Sequence, residues 1–301
     1  MVNISVIIPV LNDALGLQET VLSFVSQDYP KDRYEIIIID NGSTDNTAEV
    51  ANNLVQTYPG LVRYGIENNI KSSYAARNKG INMSNGDIIS FIDADVTVLP
   101  DYLKNIWTVF EKNSVDYVGV EVILYLKKDT LSSKYNIVND FPIQTFLEKH
   151  HFIPTCCLSI RRPVLDVVGN FDSRLESSGD LEFGTRVYEA GLKQLFVKDI
   201  KIRHPARYKY NSLINKSNRI ARGIAQLNIY YPGKYTEIYK SYYKIKSYLP
   251  AKPIKLYKYY KMKKVRVNFI SAIILSFFNT HLGILSFLSL RKEMKRLRKT
   301  R

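Results

Sequence analysis

Short, wholly apolar runs alternate with segments of helical period through the first 200 residues. Ser5-Val6-Ile7-Ile8-Pro9-Val10 ends at Asn12-Asp13, and Glu35-Ile36-Ile37-Ile38-Ile39-Asp40 ends at the turn residues Asn41-Gly42-Ser43. Runs apolar on both faces read as buried strands of a parallel sheet. Between them, Leu17, Val21, Leu22, Phe24 and Val25 recur at helical spacing until Tyr29-Pro30 closes the helix. Thr44 or Asp45 can cap the helix that follows. A third strand near 61–65, a helix over 73–83 and a fourth strand over 87–92, ending at Asp93-Ala94-Asp95, continue the series. The alternation predicts right-handed βαβ units of a dinucleotide-fold kind.

After Pro100 the pattern predicts a helix through Trp107 and Phe110, strands near 116–126, a helical stretch over 131–150 and a strand at 156–160. A helix starts at Arg162-Pro163, another runs over 180–190 to Gly191, and a strand covers Lys193 to Val197. No internal repeat is present. Near residue 230 the character changes. Ten Tyr lie between 230 and 260, residues 267–290 contain no Asp, Glu, Lys or Arg, and residues 291–301 hold seven Lys+Arg.

At 301 residues, with 46% hydrophobic and 24% charged content, the chain suits one α/β domain plus an appendage. Wholesale disorder and a disulfide scaffold are excluded. Cys156 and Cys157 are adjacent and fit no zinc spacing, which points to a reducing compartment. The chain starts on an apolar strand without a basic n-region, so no secretory leader is expected. The net charge of +15 hides a division: residues 1–200 hold 18 Lys+Arg against 26 Asp+Glu, and residues 201–301 hold 25 against 2. Such asymmetry suggests a basic tail facing an anionic surface, either a membrane leaflet or a nucleic acid.

In open α/β sheets, ligands bind at the carboxyl ends of the strands. Three such ends carry acids or turn residues here: Pro9 to Asp13, Asp40 to Ser43, and Asp93 to Asp95. If these strands are neighbours, their ends make one acidic crevice. Two close carboxylates repel unless a cation lies between them, and hard cations keep open positions for phosphate oxygens. Asp93 and Asp95 therefore suggest a Mn²⁺ or Mg²⁺ site serving a diphosphate. A solvated turn is the bland alternative.

The segments Ser5–Asn12, Ile39–Thr47, Ala75-Ala76-Arg77-Asn78-Lys79-Gly80 and Phe91-Ile92-Asp93-Ala94-Asp95, in this order, resemble the inverting family 2 glycosyltransferases of the GT-A fold. Arg161-Arg162-Pro163 with Gly169-Asn170-Phe171-Asp172, and Gly179-Asp180-Leu181-Glu182-Phe183 with Arg186 and Gly191, extend the likeness over roughly residues 3–225. The resemblance implies an α/β GT-A domain, Rossmann-like, with a mostly parallel sheet flanked by helices, over residues 1–225. It implies transfer of a sugar from a UDP-sugar to a hydroxyl on a lipid-linked or cell-envelope glycan acceptor.

By the same resemblance Asp40 accepts a hydrogen bond from the uracil ring, and Pro9 and Leu11 line the base pocket. Asp93, with Ala94 beside it, sits near the ribose and the metal. Asp95 binds the metal, His204 matches a position near metal or diphosphate, and Asp180 is the general base. Arg77 reads equally as a helix surface charge or as a crevice residue pairing with Asp93 or phosphate. The plain alternatives are a turn for Asp40, a helix cap for Asp180 and a surface histidine for His204. The sequence departs from the family at Gly179, where the base motif usually reads Glu-Asp, with Glu182 as the fallback carboxylate. It departs also at Asn41, where a second Asp is common, and at Ser72-Ser73, where a Gly often stands.

Residues 226–301 form a basic, aromatic extension whose apolar segment 267–290 is long enough to span a bilayer. Asn268, Asn279 and His281 interrupt it, and Asn279-Thr280-His281-Leu282-Gly283 reads as a mid-segment break. Basic flanks on both sides favour an in-plane or re-entrant segment, on the cytoplasmic face of an anionic membrane, over a single pass or a buried helix of a soluble fold. Two other classes compete. A nucleic-acid binder would use the tail but leaves the acidic strand ends unexplained, so no nucleic-acid partner is expected. A sugar-nucleotide nucleotidyltransferase would show a Gly-rich loop after the first strand, where Pro9-Val10-Leu11-Asn12-Asp13 stands instead.

Overall fold

Isoleucine-rich runs with no polar face become the centre of the sheet. Strand β1 (Ile4–Val10) and strand β2 (Tyr34–Asp40) are buried almost throughout. They pair in parallel with Val10 opposite Asp40. Strand β3 (Val62–Ile66) joins β2 in parallel, and β4 (Ile88–Phe91) joins β1 with Phe91 opposite Ile7. Helices α1 (Ala14–Val25), α2 (Thr47–Thr57) and α3 (Ser73–Met83) connect these strands. The expectation of parallel pairing holds for this half.

Beyond β4 come β5 (Thr97–Val98), α4 (Tyr102–Lys112), β6 (Tyr117–Tyr125), α5 (Leu131–Val138) and α6 (Ile143–His150). They are followed by β7 (Leu158–Arg161), α7 (Pro163–Val168), α8 (Gly179–Glu189) and β8 (Gln194–Pro205). The eight strands form one mixed sheet in the order β3-β2-β1-β4-β7-β6-β8-β5. Strand β7 runs antiparallel to both β4 and β6, and β5 antiparallel to β8. Two expectations are corrected. The helical stretch over 131–150 is two helices, because Pro142 lacks an amide donor and disfavours helix before it. Strand β8 is longer than Lys193 to Val197, because its far end forms a ladder with Thr97 and Val98.

The computed structural model describes residues 2–139, 141–244 and 248–299. They fall into two compact units. The first comprises residues up to Ile123, Phe141–Arg174 and Gly179–His204; the second comprises Leu124–Asp140, Leu175–Ser178 and the chain from Pro205. The division follows packing and crosses the chain several times, where the sequence reading made one cut at residue 225.

The second unit is helical: α5, α9 (Tyr210–Tyr230), α10 (Thr236–Ser241), α11 (Pro253–Met262) and α12 (Phe269–Lys299). Val138, Tyr260 and Leu275 form a core, with Tyr135, Leu256 and Phe278 against it. Helix α12 runs unbroken for 31 residues, so the expected break at Asn279–Gly283 is absent. The three polar residues expected to interrupt the segment have partners. Asn279 accepts from the Tyr135 hydroxyl, His281 Nδ1 lies 2.8 Å from the Tyr210 hydroxyl, and Asn268 accepts from the Ser271 amide in the first turn. A polar residue breaks a helix only when its own backbone is its best partner.

Candidate active site

The strand order β2-β1-β4 puts the three acidic or turn-forming strand ends side by side. The loops there are stitched together. The Asn12 amide donates to the Ser43 hydroxyl at 2.9 Å, and the Thr44 amide donates to Asn12 Oδ1 at 2.7 Å. Asp40 is buried; its Oδ1 accepts from the Ser43 amide at 2.8 Å and its Oδ2 lies 3.3 Å from the Tyr64 hydroxyl. Burial, reinforced by the Asp40 charge, pushes the Tyr64 phenol up to about 12, so it stays a donor. Asn41 is structural: its amide donates to the carbonyls of Glu67 and Ile70, both at 2.8 Å. That dual donation explains an amide where a second Asp is common, since a carboxylate could not donate. Pro9 is half-buried at the end of β1, and Leu11 is exposed on the loop after it.

Arg77 is a crevice residue. Its side chain is 4% exposed, and its Nη2 donates to Asp93 Oδ1 at 2.6 Å. Its buried Nε has no hydrogen-bond partner. Ala94 is buried, and its carbonyl packs against the first turn of α1: a Cβ built on Gly16 would lie 2.8 Å from Ala94 O. Gly16→Ala is therefore expected to cost about 1–3 kcal/mol by overpacking. Denaturant melting checks this, and an unchanged midpoint would refute the close approach.

His204 is buried, and its Nε2 lies 3.6 Å from Asp95 Oδ1. That separation is long for a hydrogen bond. It suits two ligands on one cation with bonds of roughly 2.0–2.2 Å. Asp93 is committed through one oxygen to Arg77. No cluster of three metal-ligating side chains occurs among the described residues. The donor set fits a cation held by two side chains with its other positions left to phosphate oxygens.

Asp180 is half-buried in the first turn of α8, its Oδ1 accepting from the Leu181 amide at 3.0 Å. The fallback base is spoken for: Glu182 is buried and bound by Arg186 through two contacts, at 2.7 and 2.8 Å. Helix α3 touches both ends of the site. Arg77 holds Asp93, and the Tyr74 hydroxyl accepts from the amides of Gly179 and Asp180 at 2.9 and 3.3 Å.

The sequence reading gave no role to Tyr64 or Tyr74. Tyr64 pairs with Ile38, two residues before Asp40 on β2, so strand alternation was its available signal. A cavity of about 470 Å³ lies in the second unit, lined by Tyr135, Lys216, Tyr242, Tyr248 and Asn279 among others. It contains none of the candidate catalytic, nucleotide-binding or metal-binding residues.

An acidic rim at the carboxyl ends of parallel strands, completed by a carboxylate on a helix start, is the layout of a nucleotide-sugar transferase of the GT-A fold. Residues 5–169 match the description "Glycosyl transferase family 2". Glycosyltransferase AglE of Haloferax volcanii is 34% identical over 225 residues, covering 74% of this chain and 73% of AglE. The mannosyltransferase PcManGT of Pyrobaculum calidifontis, solved with GDP-Man and Mn²⁺, superposes with a TM-score of 0.66 at 17% identity, covering 97% of this chain and 87% of that one. Residues 1–349 of TarS from S. aureus, solved with UDP-GlcNAc, superpose with a TM-score of 0.56 at 16% identity, covering 99% and 92%. The chain belongs to glycosyltransferase family 2.

Proposed function

We propose that this chain is an inverting, metal-dependent transferase that moves a sugar from a UDP-sugar to a hydroxyl of a lipid-linked or cell-envelope glycan at a membrane surface. The observation that carries it is the bridging of Asp93 and Asp180 by one helix, α3, beside the rim formed by β2, β1 and β4. In this reading Asp40 accepts the uracil N3–H beside Pro9 and Leu11. Asp93 and Ala94 face the ribose and diphosphate. Asp95 and His204 would hold Mn²⁺ or Mg²⁺, which when bound neutralises charge growing on the leaving diphosphate.

Asp180 takes the proton of the acceptor hydroxyl as its oxygen bonds to the anomeric carbon. The bond from that carbon to the diphosphate breaks on the opposite face, and its electron pair leaves with UDP. One displacement inverts the centre and needs no enzyme nucleophile. Titration with UDP, GDP and their sugars tests the donor class: the protein is expected to retain UDP in preference to GDP, and tighter GDP binding would overturn the uridine assignment.

The second unit supports the membrane placement. One face of α12, with Ala272, Leu275, Leu282, Leu290 and Leu297, is buried, and α12 runs along α9. The opposite face shows Ile270 (69% exposed), Ile274, Phe277 (56%), Ile284 and Leu288. From Ile270 to Leu288 this stripe is about 27 Å long at 1.5 Å per residue. It then turns basic at Arg291, Lys292, Lys295 and Lys299, all exposed. Helix α9 carries Lys216, Arg219 and Arg222, so a spanning α12 would draw these charges into hydrocarbon at several kcal/mol each. An in-plane helix buries the stripe among acyl chains and leaves the basic end to anionic headgroups. Flotation with vesicles is expected to recover the protein with anionic vesicles, and Ile274→Glu with Phe277→Glu to release it. Retention of that variant, or equal recovery on neutral vesicles, would refute the placement.

A further inference from the structure

We propose that Tyr74 positions the base Asp180, and that Gly179 precedes the base because the Tyr74 ring fills the space a side chain there would need. This rests on the reading of Asp180 as the general base. A Cβ on Gly179 would stand 2.7 Å from two carbons of the Tyr74 ring and 2.9 Å from a third. Real Cβ atoms do not approach so closely, and neither ring nor backbone has freedom to retreat. The departure at Gly179 is thus an exchange: a carboxylate on α8 is replaced by a phenol from α3.

The phenol oxygen accepts from the amides of Gly179 and Asp180, the first two residues of α8. A helix start leaves four amides without partners inside the helix. Tyr74 satisfies two of them from outside and so fixes where the helix begins. The residue before them, Ser178, has φ of +63°, a left-handed conformation that a non-glycine residue keeps only when its surroundings hold it.

The ring itself cannot drift. It stacks on Phe171 at 5.7 Å between centroids, with the Arg77 guanidinium 5.6 Å from its own centroid. Phe171 is clamped by the Asn78 side chain, which donates to its carbonyl at 2.8 Å and accepts from its amide at 3.1 Å. Tyr74, Arg77 and Asn78 are spaced i, i+3 and i+4, hence on one helix face. One rigid face therefore sets Asp93 through Arg77 and Asp180 through Tyr74. The distance between donor carboxylate and base is fixed by a single turn of α3 rather than by loops.

The test uses the full chain and three measurements. Tyr74→Phe removes the acceptor oxygen and keeps the ring. It is expected to lower kcat ~10- to 100-fold, the scale of a small misplacement of a reacting group. Donor KM and donor binding stoichiometry should stay at the parental values, which a general loosening of the fold would not leave untouched. Gly179→Ala is expected to lower the melting temperature by about 5 °C in the parental chain and by much less in a Tyr74→Ala background. Asp180→Asn is run alongside. If it abolishes transfer while Tyr74→Phe keeps the parental kcat per donor site, the positioning role is overturned and the base survives. If Asp180→Asn keeps its rate, the base reading falls and the positioning role with it. Equal melting losses from Gly179→Ala in both backgrounds overturn the steric exchange.

Discussion

Asp180→Asn is expected to slow sugar transfer by ~10²- to 10⁴-fold, the usual contribution of a positioned base. The replacement keeps the shape and the oxygen that accepts from the Leu181 amide. It removes only the capacity to take a proton. Nucleotide-sugar affinity should therefore be unchanged, because Asp40, Asp93 and Asp95 come from other elements. Glu182 cannot substitute, since Arg186 holds both of its oxygens. Single-turnover transfer and equilibrium donor binding measure the two halves separately. Near-parental transfer by Asp180→Asn would remove the base assignment.

The second large effect belongs to Asp95. Asp95→Ala is expected to weaken donor binding in Mn²⁺ by at least ~10²-fold, since even outer partners of a metal ligand cost 10- to 100-fold. In the presence of a chelator the parental and variant proteins should bind the donor equally weakly. The comparison isolates the cation, because His204 is left in place 3.6 Å from where the carboxylate stood. Equal affinities in Mn²⁺ would show that Asp95 and His204 face each other for another reason, such as an ion pair with a charged imidazole.

The first half of the sheet could be read from the chain because its two central strands are apolar over most of their length. Ile36 to Ile39 can sit nowhere but between covered faces, and an acid at the end of such a run must emerge at the rim. Arg77 was ambiguous in sequence because a helical arginine is usually solvated; burial and Asp93 decide it. The role of Tyr74 was hidden because its partners lie 105 and 106 positions further on. Only the folded chain brings phenol and glycine together, although the odd Gly179 already marked the place. Asn279 was misread for the same reason, since its partner Tyr135 lies 144 positions away. Local patterns report local competition, and both cases are settled by distant side chains. In the antiparallel half β7 was legible as the strand expected at 156–160, whereas β5, at 2 residues, is too short to show a period.

The two-sided character of α12 limits how the proposed membrane face can be removed from the protein. Cutting the chain before Phe269 would strip away Leu275, Leu282 and Leu290 and leave the flank of α9 and the Tyr260 core uncovered. Replacing Ile270, Ile274 and Phe277 with polar residues instead leaves the inner seam intact, so the outer face of this helix is better altered by repainting it than by removing it.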